Sequence, residues 1–336
     1  MTPYFHYPTF DRRYRRFWSG LDPCAGVTSQ NHMNPDPSFL ALLLAVLYYG
    51  SVIEPLVLDP DSARQLDDTT NRADPIGSNS SLLLALGSRA LGMTDFPNKA
   101  NLSSLTAFML LQMDQLRCQD TSACSFVAVS IRIAQSMGLH REDVNRDLDA
   151  ISAEERRRIW ALLVHLDLLT ARRSGLSPIL TQPTVKLGIP FSEVRDEFIG
   201  TLFANDPRHS YAVFILAHGR YEASACARAM LARQAEGCNI SMSDIEDLLH
   251  SVRRLEQNLT GRISKIQSAN TSNTMPFTAP GLVSVPSDFC ARFKIDSCAF
   301  SRWSQTTLRY ITEQTYCDLY SLALSDISVW DELRDE

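Results

Sequence analysis

The chain has 336 residues, of which 45% are hydrophobic and 21% charged, a composition typical of globular proteins that bury a sizeable core. Its formal net charge is −6 and its sequence pI about 5.7, which argues against a free-standing nucleic-acid-binding protein, because such proteins carry an excess of Lys and Arg. No signal-peptide run is present, and the longest apolar stretch, residues 39–53, is shorter than the ~20 residues that cross a bilayer. We therefore expect an intracellular protein with no membrane partner.

Helical periodicity dominates the first half of the chain. An apolar stripe after Pro37 predicts a helix that ends near Gly50, and the polar residues 59–79 predict a loop. Further helices are predicted over 81–93 and 102–117. A fourth begins after Thr121 or Ser122 and ends at Gly138, since glycine adopts the left-handed conformation without penalty. Its predicted buried face consists of Phe126, Val127, Ser130, Ile131, Ala134 and Met137.

The second half is also predicted to be helical. The sequence from Ser152 to Glu155 is typical of a capping box, and the helix it opens is expected to stop before Gly175. Residues 175–196 hold three prolines and predict an extended crossing segment. Helices are predicted over 207–233 and 243–267, followed by a surface loop over 268–288 and a last helix over 297–324. The fold class is therefore all-α, in a single irregular multi-helix domain over 1–336.

An ordered set of short motifs lies in the centre of the chain. Ala-Gln-Ser-Met-Gly-Leu-His-Arg-Glu (134–142) is followed by Glu-Glu-Arg-Arg-Arg-Ile-Trp (154–160) and by Leu-Asp (166–167). In order and spacing this set resembles the middle homology region of fungal zinc-cluster transcription factors, best matched over 102–196. His-Tyr-Pro-Thr-Phe (6–10) and Cys-Asp-Leu-Tyr (317–320) are similar to its two ends. The resemblance implies an all-α regulatory domain of the fungal transcription factor middle homology type.

The resemblance also marks motif residues, to which we assign mainly structural roles. They are Gly138, Leu139, His140, Arg141, Glu155, Arg157, Arg158, Trp160, Asp167 and Gly175. The sequence departs from the family pattern in three places. The six-cysteine zinc cluster expected upstream is absent, the Gly-Arg-Pro motif is replaced by Gly-Leu-Ser-Pro (175–178), and the chain stops soon after Tyr320. None of the eight cysteines forms a Cys-x-x-Cys pair, so we expect no cofactor, and zinc only if an upstream cluster exists.

Three features allow a structural and a functional interpretation. The arginines 156–158 could form a nuclear-localisation patch, but we favour ion pairs of Arg157 or Arg158 with a carboxylate such as Glu155 or Asp167. Asp167 lies nine residues after Arg158, so that pairing requires a long reach or a different arginine. The basic run 12–16 could likewise target the nucleus or form a solvated helix face. His140 is expected to act at a helix end rather than as a ligand or base.

No metalloprotease, nucleophile-elbow, phosphate-loop or dinucleotide motif occurs in the sequence. Trp160 is expected in the core, with a pocket between helices as the alternative. The main hypothesis is a nuclear transcription regulator that binds a protein partner and meets DNA only indirectly. That partner is an intact zinc-cluster factor or a second copy of the chain. The alternatives are a module that senses a small-molecule effector and, third, an enzyme with an unrecognised site.

Overall fold

The computed structural model describes residues 5–21, 36–58, 75–116, 122–180, 192–202, 212–235, 241–272 and 297–324. Within these ranges the fold consists of ten α-helices and two short 3-10 segments, without a β-strand, which confirms the all-α prediction. The helices are α1 (Tyr7–Leu21), α2 (Pro37–Leu58), α3 (Pro75–Gly92), α4 (Leu102–Gln112), α5 (Ser122–Ser136), α6 (Glu142–Arg146), α7 (Ala150–Ser174), α8 (Ala212–Ala235), α9 (Met242–Ser272) and α10 (Ser297–Leu324). The 3-10 segments are Met113–Leu116 and Asp196–Phe198.

The chain divides into two compact units. The N-terminal unit contains Tyr4–Asp147 and Leu169–Leu176, and the C-terminal unit contains Leu148–Leu168 and Ser177–Glu336 together with Met1–Pro3. The last turns of α7 therefore belong to the N-terminal unit and the rest of α7 to the C-terminal unit. The expectation of a single domain over 1–336 stays a prediction.

The N-terminal unit is organised around α2, which packs against α3 and α4, while α4 also packs against α5. Its core cluster is apolar throughout and consists of Ala41, Leu42, Ala45, Tyr48, Ala90, Leu91, Ala107, Leu110 and Leu111. Gly87 allows the helices to approach closely, because a Cβ there would stand 2.8 Å from Leu111 Cδ2. Burial of this apolar surface drives the packing of the unit.

Local sequence fixes where α4 begins. The Asn101 side chain accepts a hydrogen bond from the Ser104 backbone N–H, and the Ser104 hydroxyl accepts one from the Asn101 N–H, which forms a reciprocal capping box. The Asn101 amide also donates to the Ser38 hydroxyl at the start of α2, at 2.8 Å. Two helix starts are therefore joined through one side chain that satisfies otherwise unpaired donors.

The C-terminal unit is built on α8, α9 and α10, each of which packs against the other two. One apolar cluster centres on Leu216, Leu259 and Leu308, and a second centres on Met230, Val252 and Leu319. At Gly219 a Cβ would stand 2.6 Å from Leu308 Cδ2, so a larger residue would require that side chain to shift where α8 meets α10. The early part of α7 packs on α8 through Ala161, Phe214 and Ala217.

Several predicted helix boundaries were wrong. Helix α2 continues through Gly50 to Leu58, because Gly50 is not in the left-handed conformation that would end it. Helix α3 begins at Pro75 rather than 81, and α9 runs to Ser272 rather than 267. The predicted last helix is confirmed as Ser297–Leu324. Residues 59–74, 203–211 and 273–296, which include other predicted loops and one predicted helix start, lie outside the described residues.

The predicted helix ends at Gly138 and Gly175 are confirmed. Both glycines have positive φ, 72° and 68°. After α5 the Leu139 N–H donates to the Ala134 carbonyl and the Gly138 N–H to the Gln135 carbonyl, both at 3.0 Å. This hydrogen-bond pair is the Schellman motif, and it requires the left-handed residue that glycine supplies. The predicted face of α5 is buried, with Met137 half-buried.

The start of α7 differs from the prediction. Asp149, not Ser152, is the capping residue, since its carboxylate accepts the backbone N–H groups of Ile151 and Ser152 at 3.1 and 3.0 Å. A hydrogen bond from the Ser152 side chain, followed by these backbone hydrogen bonds, lowers the pKa of the Asp149 carboxyl below its ordinary value. A carboxylate caps as well as a hydroxyl and also interacts favourably with the positive end of the helix dipole, which places the cap three residues earlier.

Candidate functional site

Arg158 lies at the centre of a buried ionic group in the C-terminal unit. Its side chain, 1% exposed, donates to the Glu154 carboxylate at 3.1 Å and to the Asp196 carboxylate at 2.8 Å. The guanidinium also lies 4.3 Å from the centre of the Phe214 ring. Glu154 accepts in addition the backbone N–H of Ser192, at 2.8 Å. The group therefore ties the segment 192–198 to α7.

Asp167 and Arg228 form the second buried group. Their side chains, 2% and 1% exposed, are joined by an Arg228 Nη1–Asp167 Oδ2 contact of 2.6 Å. Asp167 also accepts the backbone N–H groups of Ile179 and Leu180, each at 3.0 Å. Arg228 donates to the carbonyls of Leu180 and Val164. This group fixes the residues that follow α7 against α7 and α8 by charge-assisted hydrogen bonds.

A third group surrounds Glu193. Its carboxylate lies 3.1 Å from His218 Nδ1 and 3.1 Å from Lys265 Nζ, and it also contacts the Arg262 guanidinium. Arg262 in turn holds Glu222, with an Nη2–Oε1 distance of 2.8 Å. Two carboxylates and two cations are therefore brought together by α8, α9 and the segment before the second 3-10 turn.

Burial shifts the pKa values in these groups. It raises the pKa of Glu154 above its ordinary value against the opposing effect of Arg158, and it likewise raises that of Glu222. It lowers the pKa of His218, so that this imidazole is neutral at pH 7, and it lowers that of Arg262 to about 10, which leaves the guanidinium charged. In each of these groups a buried or half-buried arginine is therefore held by carboxylates of the same unit.

The structure corrects the predicted partners of the central arginines. Arg158 pairs with Glu154 and Asp196, two carboxylates that the prediction did not name, because an i, i+4 spacing brings Glu154 onto its own helix face. The predicted pairing of Arg157 stays a prediction. Asp167 instead pairs with Arg228, which lies 61 residues away in sequence. Glu155 and Arg157 are half-buried beside these groups. Trp160 is 4% exposed, which confirms its prediction as a core residue.

The other motif residues belong to the N-terminal unit. Gly138 and Leu139 form the helix end described above, and Leu139 is 2% exposed. His140 is half-buried, and burial followed by the nearby Arg141 lowers its pKa. Arg141 is exposed and pairs with Asp143 at 2.6 Å, which raises the pKa of the guanidinium. Gly175 ends α7. These positions shape the chain and bring no reactive pair together.

Sequence reasoning missed Glu154, Asp196 and Arg228 among the buried ionic residues. Glu154 could have been found from its i, i+4 spacing to Arg158. Asp196 and Arg228 carry no local signal, because their partners lie 38 and 61 residues away. The Glu193 group was missed for the same reason, since Arg262 and Glu222 are 40 residues apart.

No reactive centre is apparent in the described part of the chain. Burial raises the pKa of the Cys226 thiol to about 11, so this cysteine is a protonated, half-buried core residue. Among the residues that the structure describes, no three His, Cys, Asp or Glu side chains come together as metal ligands. Over the same ranges, no helix combines the length and apolarity needed to cross a bilayer.

Sequence comparison identifies the class of protein to which this helical framework belongs. It is an all-α domain of transcription regulators. Residues 2–271 match the model of the fungal specific transcription factor domain, and the chain belongs to that family.

The relatives carry matching names. The chain is 26% identical to the transcription factor yanR of Aspergillus niger, over 80% of this chain and 33% of that protein. It is 27% identical to the transcription factor macR of Penicillium terrestre, over 53% and 20%. It is 28% identical to the C6 finger domain transcription factor hasF of Aspergillus fumigatus, over 59% and 26%. The chain thus spans about a third or less of these relatives, and no solved structure matches it.

Proposed function

We propose that this chain regulates transcription in the nucleus through a helical domain that binds other proteins and meets DNA only through them. The domain match over residues 2–271 carries this proposal. The relatives named above are transcription factors, which supports a role in the same process. Because the match covers only part of each relative, their complete activities are not transferred to this chain.

The use of positive charge supports an indirect relation to DNA. Proteins that bind DNA display Lys and Arg toward phosphate. Here Arg158 and Arg228 are each 1% exposed and Arg262 is 8% exposed, and each is held by carboxylates of its own unit. The net charge of −6 agrees with this arrangement. The exposed Arg141 of the motif region is paired with Asp143.

Exposed aromatic side chains support a protein-binding role. Tyr14 and Trp18 on α1 are 39% and 51% exposed, and Trp303 and Tyr310 on α10 are 46% and 64% exposed. Tyrosine and tryptophan are enriched in protein interfaces because they combine large apolar surface with a polar group. For the partner we propose an intact zinc-cluster factor or a second copy of the chain. That the chain holds no cofactor stays a prediction. Zinc is expected only if an upstream cluster exists.

A tethering experiment tests the proposal. The full chain is fused to an unrelated DNA-binding domain and expressed in a fungal host that carries a reporter with the matching binding site. We expect reporter transcription to rise or fall relative to the DNA-binding domain alone. Asp167→Ala serves as a control, because loss of the buried pair should destabilise the domain and weaken the effect. An unchanged reporter, with the fusion folded and in the nucleus, would contradict the proposal.

A further inference from the structure

Helix α1 carries a dense group of positive charges in an otherwise acidic chain. Residues 11–16 hold four arginines and one aspartate, a formal charge of +3, whereas the whole chain has −6. Arg13 is used inside the N-terminal unit, where it pairs with Asp36 at 2.9 Å. The other three arginines are exposed and are Arg12, Arg15 and Arg16. These three form a basic patch on the outer side of α1, the α1 basic patch.

Ser19 lies one helical turn beyond the α1 basic patch. It is exposed, and its hydroxyl donates to the Arg16 carbonyl at 3.0 Å. Residues three and four apart are neighbours on a helix surface, so Arg16 and Arg15 lie one turn before Ser19 on the same face. Ser19 is also in the last turn of α1, which ends at Leu21. The hydroxyl is therefore close to positive charge at a helix end, where local opening costs little free energy.

The spacing between Ser19 and these arginines is rare in the chain. Of all the serines and threonines in the sequence, only Ser19 and Thr312 follow an arginine by three residues, and of these two only Ser19 also follows one by four. Thr312 is 8% exposed on α10, and its hydroxyl donates to the Leu308 carbonyl at 3.0 Å. Ser19 is therefore the one of the two that a second protein can reach in the folded chain.

We propose that Ser19 is phosphorylated by an arginine-directed serine/threonine kinase, with Mg-ATP as the phosphate donor. Kinases select substrates by charge pattern, and carboxylates of the kinase would bind Arg16 and Arg15. The Ser19 Oγ forms a bond to the γ-phosphorus of ATP while the bond from that phosphorus to the β–γ bridging oxygen breaks. ADP leaves, and the hydroxyl proton passes to the aspartate base of the kinase. The inference goes beyond the proposed function and does not depend on it.

The phosphate would change the charge of the α1 basic patch. Phosphoserine carries about −1.5 to −2 charges at pH 7, which cancels about two of the positive charges. Its oxygens accept charge-assisted hydrogen bonds from Arg16 and from Arg15, which would leave its present partner Asp11, at 2.9 Å, for the more highly charged acceptor. The negative end of the helix dipole opposes a phosphate here, so the arginines are what stabilises it. A basic surface thereby becomes nearly neutral under the control of a kinase.

Phosphorylation of the folded full chain in vitro tests this inference. The chain is incubated with Mg-ATP and the catalytic subunit of cyclic-AMP-dependent protein kinase, and the modified residue is identified by mass spectrometry. We expect phosphate at Ser19 and none at Thr312, which is the internal control because it has the same arginine spacing but is buried. Ser19→Ala should abolish the modification. An unmodified Ser19, or modification of Thr312 in its place, would overturn the inference.

Two arginine variants separate recognition of the motif from a response to overall charge. Arg16→Gln removes the charge three residues before Ser19 and should lower kcat/KM for phosphorylation at least about tenfold, because a charge-assisted contact with the kinase is lost. Arg12→Gln is the matched control. It removes the same charge from the same helix, but about 10 Å from Ser19 along the axis, and should change kcat/KM less than about twofold. Circular dichroism confirms that each variant is folded. Equal effects of the two variants would contradict the proposed recognition.

Phosphorus NMR of the phosphorylated chain tests the expected contacts of the phosphate. The second pKa of phosphoserine is ordinarily about 6, and nearby positive charge lowers it because the dianion is favoured. We expect a pKa below about 6 in the unchanged chain and a value closer to about 6 in Arg15→Gln, phosphorylated by longer incubation. A pKa above about 6 in the unchanged chain would mean that the helix dipole outweighs the arginines, and would overturn the proposed change of partner.

Discussion

The two units of this protein use charge in opposite ways. In the N-terminal unit the core around α2 is apolar, and the ion pairs, such as Arg13–Asp36 and Arg15–Asp11, lie at the surface. In the C-terminal unit Arg158 and Arg228 are buried with their carboxylates, and they hold segments that are not helical. Helices satisfy their own backbone groups, whereas irregular segments need side-chain partners when they are buried. The two units therefore use charge differently because the core of the N-terminal unit is formed by helices, whereas the C-terminal unit also buries irregular segments.

The largest effect is expected where the C-terminal unit depends on a buried pair. Asp167→Ala leaves the Arg228 charge buried without its carboxylate and removes the acceptor of the Ile179 and Leu180 N–H groups. We expect the free energy of unfolding to fall by about 3–5 kcal/mol. Urea denaturation measures this change. The double variant Asp167→Ala, Arg228→Met should lose less than the sum of its two single variants, and strict additivity would mean that the pair is not coupled.

In the N-terminal unit a comparable loss should come from apolar packing. Leu110 is 1% exposed within the core of α2, α3 and α4. Leu110→Ala should lower the free energy of unfolding by about 2–5 kcal/mol, because it removes buried surface and leaves a cavity. The same denaturation experiment measures it, with Leu110→Met as the volume-matched control, which should lose under about 1.5 kcal/mol. Equal losses in both variants would argue against tight packing at this position.

A smaller effect is expected at the end of α5. Gly138 has a φ of 72° and closes the helix, so Gly138→Val places a β-branched residue in the left-handed region. The strain should lower the free energy of unfolding by about 1–2 kcal/mol or more. Gly50→Val offers a contrast, since Gly50 lies inside α2 without positive φ and no atom lies within 4 Å of an added Cβ. Similar losses at both positions would contradict the strain argument.

The stability of the C-terminal unit should also depend on pH through His218. Burial lowers the pKa of His218 below its ordinary value of 6.5, although Glu222 opposes this shift. The unfolded chain then binds the proton more readily, so the stability that this site contributes is lost as pH falls through 6.5 toward the folded pKa. Thermal unfolding between pH 8 and pH 5 should show a shallower acid decline for His218→Gln than for the unchanged chain. A steeper decline in the variant would mean that the folded pKa is raised.

The smallest change is expected at the surface of the N-terminal unit. Arg15 and Asp11 are paired at 2.9 Å on α1, with side chains 44% and 25% exposed. Solvent screens such a pair, so Arg15→Ala should change the free energy of unfolding by no more than about 0.5 kcal/mol. Repeating the denaturation at high salt should reduce even this difference. If Arg15→Ala lowered the free energy of unfolding as much as Asp167→Ala does, this surface pair would stabilise its unit as strongly as the buried Asp167–Arg228 pair.

The features that were predicted well from the sequence are those that depend on local interactions. The helix ends at Gly138 and Gly175 and the burial of Trp160 depend on nearby residues and on hydrophobic periodicity. The cap of α7 was misplaced because Asp149 and Ser152 are both good capping residues, and the sequence does not rank them. The partners of Asp167 and Arg158 depend on tertiary approach, which periodicity cannot supply. The family motif could therefore be recognised from the sequence, but the partners in its ion pairs could not be predicted.

The central claim is that the buried arginines hold the fold while the chain regulates transcription through protein contacts. Selection of duplex DNA from a random pool by the purified full chain tests it most directly, with bound and unbound DNA sequenced at low salt, where electrostatic binding is strongest. We expect no enriched sequence and, at most, weak binding that disappears as salt is raised. A reproducibly enriched sequence bound tightly at physiological salt would contradict the account, because the chain would then read DNA by itself.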